Sequence, residues 1–186
     1  MRKPLLLASL LLTASYPLAA SEQLDITYYP ISGKSSKQLL EAMQQHGPEG
    51  DDGRRFHGYT RWHVSWKYQT SSRGNRCSIT SVDTQVTGTI TLPQWTDTQG
   101  ATEDLLNRWQ HYSSLLREHE QGHYQFALDA AAAIRQQLIA MPAQVGCPNL
   151  LTQANQLGSA LIDEQRQREL AYDRDTDHGR NTGLKL

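Results

Sequence analysis

Hydrophobic and polar positions alternate through the first half of the chain and then change period. Leu24, Ile26 and Tyr28 alternate, which predicts a short first strand. Ser35-Ser36-Lys37-Gln38 resembles a capping box, and Leu39, Leu40 and Met43 follow with helical spacing, so a short helix is expected over 36–45. HGPEGDDG (46–53) has loop composition. In YTRWHVSWKY (59–68), Trp62, Val64, Trp66 and Tyr68 share one face, with Arg61, His63, Ser65 and Lys67 on the other, as in a half-buried strand. SSRGN (71–75) reads as a turn. CSITSVDTQVTGTITLP (77–93) reads as one long strand or two shorter ones, with Gly88 expected at a bulge or bend.

From Thr102 the period lengthens to about three and a half. Leu105, Trp109, Tyr112, Leu116, His119, His123, Phe126, Ala130, Ile134 and Leu138 form one stripe, predicting a long amphipathic helix that Thr102 caps and that ends before Pro142. Asn149 then caps a second helix through Leu150, Leu151, Ala154, Leu157, Leu161 and Ile162, and the polar AYDRDTDHGRNTG (171–183) is expected to be irregular. The fold class that results is α+β: an antiparallel β-meander, then the long helix, then a second helix.

Composition changes this picture at the start of the chain. Arg2 and Lys3, the apolar run Leu5 to Leu12, and Leu18-Ala19-Ala20 have the pattern of a secretory signal peptide, with a membrane anchor or a buried first helix as the alternative. Residues 1–20 are therefore set apart, and 21–186 is read as a single domain of the 186-residue chain. The whole chain carries net charge -1; losing Arg2 and Lys3 with the signal leaves about -3. A mildly acidic chain without a Lys/Arg block argues against nucleic acid or anionic lipid as partner, and no stable membrane anchor is expected after cleavage. Export makes Cys77 and Cys147 a plausible disulfide pair, with two buried free thiols as the alternative.

The candidate chemistry lies in the long helix, at His119-Glu120-Gln121-Gly122-His123, an H-E-x-x-H. Four residues apart, the two imidazoles stand one turn apart on one face and can share a metal ion. Glu120 is turned from them by about 100°, placed to take a proton from water without being a ligand. The alternative is two satisfied core histidines on an ordinary helix.

A catalytic zinc site ordinarily has a third protein ligand and one position open to water. His178 in Thr176-Asp177-His178-Gly179 is favoured, because imidazole suits zinc; Asp173, Asp163 and Glu164 are further candidates. Tyr172 or Tyr112 is a candidate donor to a developing oxyanion. His57, His63 and His111 have no commending spacing. The longer metzincin pattern is absent, since Phe126 and Asp129 occupy its next positions, and so are a Gly-rich phosphate loop and a G-x-S-x-G elbow.

YTRWHVSWKY, LLREHEQGHYQFA and AYDRDTDHG together resemble a bacterial family of predicted secreted zinc-dependent proteases, domain of unknown function 922, over roughly residues 24–182. The resemblance implies a zinc peptidase-like domain with His119 and His123 as ligands and Glu120 as catalytic base, and it supports His178 as third ligand. The expectation is thus a periplasmic or secreted, zincin-like metallopeptidase using Zn2+ on a peptide or protein substrate. Against it stand a non-catalytic envelope module that binds a partner protein through a structural or degenerate metal site, and a hydrolase acting on a cell-wall amide.

Overall fold

The computed structural model describes residues 21–50 and 52–186. The expected signal peptide, residues 1–20, lies outside the described residues. In chain order the elements are β1 (Ser21–Ile31), α1 (Ser36–His46), β2 (Tyr59–Arg73), β3 (Arg76–Trp95), α2 (Glu103–Ile139), β4 (Gln144–Val145) and α3 (Cys147–Thr176), with a short 3-10 turn at Arg180–Thr182.

The sheet corrects the expected meander. β2 and β3 form an antiparallel hairpin, but β1 lies on the other side of β3 and runs parallel to it, in the order β1-β3-β2. The sheet is mixed because α1 and the segment after it carry the chain from one edge to the other. Alternation reports which residues share a face and is blind to strand direction. β4 adds two residues at the start of β3. The β2–β3 turn is only Gly74-Asn75, since Arg73 already pairs with Arg76.

Gly88 is not at the bulge, which falls between Gln69 and Thr70. A Cβ at Gly88 would stand 2.6 Å from the Tyr124 ring, so the glycine lets α2 approach the centre of the sheet.

Both expected helix starts are present. The Ser35 hydroxyl accepts from the Gln38 N–H, and the Thr102 hydroxyl accepts from the Leu105 N–H, each at 3.3 Å. α3 departs from expectation at both ends. It begins at Cys147, with Pro148 in its first turn and Asn149 already inside it, and it continues through 171–176. Pro is tolerated there because its missing N–H is one that no helix uses.

α2 packs on β3 and β2, and α3 covers the aromatic face of β2. The Trp66 ring lies against Gly158, the Tyr68 hydroxyl bonds to Asn155 at 3.1 Å, and the Trp62 indole reaches Glu169. These partners advance along α3 as they retreat along β2, so the end of α3 arrives beside the start of β2.

The core has two parts. Val64, Val86, Ala127, Ala130, Ile134, Leu138, Leu150 and Ala154 form one between the sheet and the paired helices. Ile31, Leu39, Met43, Ile90, Leu105, Tyr112 and Leu116 form the other, under the first half of α2. Each fully buried aliphatic side chain contributes about 1.5–3 kcal/mol. Residues 119–123 lie at the seam between these parts, so polar groups there are flanked by apolar packing.

Cys77 and Cys147 form a disulfide with Cα atoms 5.1 Å apart. Such a bond belongs to an oxidising, extracytoplasmic environment. Among the described residues no helix is long and apolar enough to cross a membrane.

Candidate metal centre

His119, Glu120 and His123 are all buried on α2. The two imidazoles converge with Asp173 of α3. His119 Nε2 lies 3.2 Å from His123 Nε2, and Asp173 Oδ1 lies 3.2 Å from the first and 3.0 Å from the second. Ligand atoms held tetrahedrally about 2.0–2.1 Å from one ion stand roughly 3.3–3.4 Å apart, so this triangle is within a few tenths of an ångström of such a set. Both rings can donate to Asp173 Oδ1, but the 3.2 Å approach of the two ring nitrogens to each other is one that those hydrogen bonds do not require. His119, His123 and Asp173 thus make a group that could bind a metal ion.

The electrostatics follow from this crowding. Burial disfavours an imidazolium at His123, but hydrogen bonds to Asp173 and Glu169 outweigh it and lift the pKa to about 10. Burial likewise opposes an ionised Asp173, yet the bonds from His119 and His123 hold its carboxyl well below the usual range.

His178 is not one of the three. It is 41% exposed at its side chain, and its Nδ1 lies 3.3 Å from Asp173 Oδ2, the oxygen turned away from the two histidines. The backbone explains its position. Asp177 and His178 both have φ of 50°, and Gly179 has φ of 81°. This left-handed run ends α3, and the His178 N–H returns to the Asp173 carbonyl at 2.8 Å. The Thr176 hydroxyl donates to the Tyr172 carbonyl at 2.7 Å and accepts from the Gly179 N–H at 3.2 Å. Asp163 and Glu164 are exposed two or more turns before Asp173 and do not join the group.

Glu120 sits against β2. The Thr60 hydroxyl lies 2.8 Å from Glu120 Oε2 and 2.9 Å from the Glu120 carbonyl, so its one proton is shared between side chain and backbone. A Cβ at Gly58 would stand 2.8 Å from Glu120 Oε1, so a glycine there leaves the room this carboxylate occupies. Burial pushes the Glu120 carboxyl up, against the opposing pull of His123, Thr60 and His119.

The aromatic neighbours have separate tasks. The Tyr172 ring stacks on His119 with centroids 5.0 Å apart and planes at 17°. Tyr112 is buried and its hydroxyl is 2.6 Å from His57 Nδ1, while the Tyr29 hydroxyl donates to the His57 carbonyl at 2.7 Å. Burial, and then Arg180, lower the His57 pKa. His63 and His111 are exposed, away from the group.

The sequence puts Asp173 among the alternative ligands but does not single out Thr60, Gly58 or Glu169. Glu169 and Asp173 are four apart, a helical spacing legible only once α3 is known to continue through them. Nothing local marks Thr60 or Gly58; they acquire meaning when β2 packs on α2.

The fold and site define a mixed α+β domain with a buried His/His/Asp group able to hold a metal. The chain belongs to the family described as bacterial protein of unknown function (DUF922), whose family model matches residues 26–179. No curated protein and no solved structure matches the chain.

Proposed function

We propose that this protein is an exported, periplasmic or secreted, zinc-dependent peptidase of zincin-like build that hydrolyses peptide amide bonds. The observation that carries the reading is the pairing of a buried, Thr60-held Glu120 with a convergent His119/His123/Asp173 group in the next turns of packing. His119 Nε2, His123 Nε2 and Asp173 Oδ1 would hold the ion. Nitrogen and carboxylate donors of this kind suit zinc. A zinc ion supplies Lewis acidity there, making water easier to deprotonate and a carbonyl easier to attack.

The chain's own residues do the rest. Glu120 takes the proton from the attacking water and passes it to the leaving amine. Its raised pKa brings donor and acceptor forms closer to neutral pH, which serves both halves of that exchange. Thr60 holds Oε2, leaving Oε1 as the oxygen to receive the proton. His178, exposed on one side and bonded to Asp173 on the other, steadies the carboxylate.

A closed structural site would suit the binding-module alternative, but it needs a fourth protein ligand. Glu169 occupies the far nitrogen of His123 and His178 the outer oxygen of Asp173, so neither fills that place. The test is zinc content of the purified mature protein, followed by assay of the zinc form on an unstructured protein and on cell-wall peptides. One zinc per chain with amide hydrolysis that Glu120→Gln abolishes is expected. A fully loaded protein that cleaves neither substrate would overturn the peptidase reading.

A further inference from the structure

Glu169 stands on the side of His123 away from the convergent group. Its Oε1 is 3.1 Å from His123 Nδ1, while both of its oxygens are 3.1 Å from the Trp62 indole nitrogen. An imidazole's two nitrogens face different directions, so a carboxylate bonded to Nδ1 cannot share an ion with Nε2. Asp173 and Glu169, one turn apart on α3, therefore serve different nitrogens of the same ring.

Three elements meet at this point. Trp62 comes from the inward face of β2, Glu169 from α3 and His123 from α2. The Arg166 guanidinium lies over the Trp62 indole at 5.9 Å, adding a cation to the same wall. The carboxylate is mostly buried, at 21% side-chain exposure, and is directed by two N–H groups. Among the described residues the other imidazole has no such partner: His119 Nδ1 is buried without a hydrogen bond and its ring is stacked on Tyr172 instead. His123 is thus oriented by a polar relay, and His119 by a ring.

We propose that Trp62 and Glu169 are positioning residues for the metal centre: Trp62 holds the Glu169 carboxylate, and Glu169 holds His123 so that Nε2 faces the ion. This rests on the metal reading above and adds to it a set of residues that no ligand motif marks. Partners of this kind orient a metal-binding imidazole and raise its strength as a ligand. An ordinary structural ion pair between Glu169 and His123 would not need the indole.

The test uses the full mature chain and its Trp62→Phe, Glu169→Gln and doubly substituted forms. Zinc affinity is measured by competition with a chelator, the visible spectrum is recorded with cobalt in place of zinc, and the unfolding midpoint is taken on metal-stripped protein. Glu169→Gln should weaken zinc about tenfold and alter the cobalt bands, while the stripped protein, which also loses the Glu169 bond to His123, melts lower but stays folded at the temperature of the titration. Trp62→Phe should weaken zinc by less, and the double variant should be no worse than Glu169→Gln, because the indole acts through the carboxylate. A parent that binds zinc while Glu169→Gln binds it equally well would overturn the proposal. So would losses that multiply in the double variant, or a loss of zinc affinity that leaves the cobalt bands unchanged. A parent that takes up no zinc would instead sink the metal reading itself, and this inference with it.

Discussion

Glu120 is an acidic residue in a place that resists charge, and only its neighbours make the ionised form tolerable. Burial raises its pKa, while His123, Thr60 and His119 pull it down. Glu120→Gln keeps the shape and removes the proposed proton acceptor, so on the peptidase reading zinc content should be unchanged and turnover should fall by about 10²–10⁴. Gly58→Ala tests the room around that carboxylate. The added methyl would lie 2.8 Å from Oε1, so the base must shift; turnover should drop by up to about a hundredfold while zinc stays bound. Asp173 and His178 separate in the same way. Asp173→Ala should abolish tight zinc binding, whereas His178→Ala should weaken it by roughly tenfold, the loss of a supporting partner. The opposite order, read by metal analysis after dialysis, would return the third position to His178.

Among the elements, α2 is the one most fully legible in the sequence and α3 the least. The α2 stripe has a strong period, a cap at Thr102 and a stop near Pro142, and the structure has the helix at Glu103–Ile139. Its stripe also carried the motif, so both histidines were expected to face inward. The last three turns of α3 have almost no apolar period, and Leu170 is largely exposed. They hold together through helix-forming residues, docking on β2 and the left-handed ending at 177–179. That is why Glu169 and Asp173 were not visible as a pair. The other end of α3 is fixed by the Cys77–Cys147 bond, which closes a separation of 70 residues between β3 and α3. Replacing both cysteines by Ser should lower stability by about 2–4 kcal/mol, read from denaturant unfolding of the oxidised parent and the variant.

For the whole molecule, the proposed zinc site links folding and metal binding through protons. In the metal-free chain, His123 is raised from 6.5 to about 10, so the cluster's contribution to stability is complete below pH 6.5 and is lost as pH rises through about 10. Asp173 is depressed from 3.8, so its contribution is present above that value and fades as acid protonates it. Metal-stripped protein should therefore be less stable at pH 9 than at pH 6, and zinc should remove that difference. Zinc must also displace the His123 proton, so calorimetric titrations near pH 7 in buffers of different ionisation enthalpy should show net proton release. Titrations whose heats do not depend on the buffer would contradict this.

What the sequence determined by itself is whatever depends on neighbours along the chain. The period of α2, the cap at Thr102, the faces of β2 and the placing of His119 and His123 one turn apart with Glu120 beside them are all local, set by 3.6-residue and 2-residue geometry. The pairing of Cys77 with Cys147 needed only the assumption of an oxidising compartment. Tertiary structure decided what depends on which elements meet. It turned β1 parallel to β3, because alternation carries no strand direction. It brought Thr60 and Gly58 onto Glu120, because β2 happens to begin where α2 buries its acid. It drew Asp173 rather than His178 into the triangle, because α3 runs on for three polar turns before its left-handed end carries His178 to the outer oxygen. The spacing of two candidate ligands within one helix is written in the sequence, whereas a third from another helix is settled only by where that helix stops.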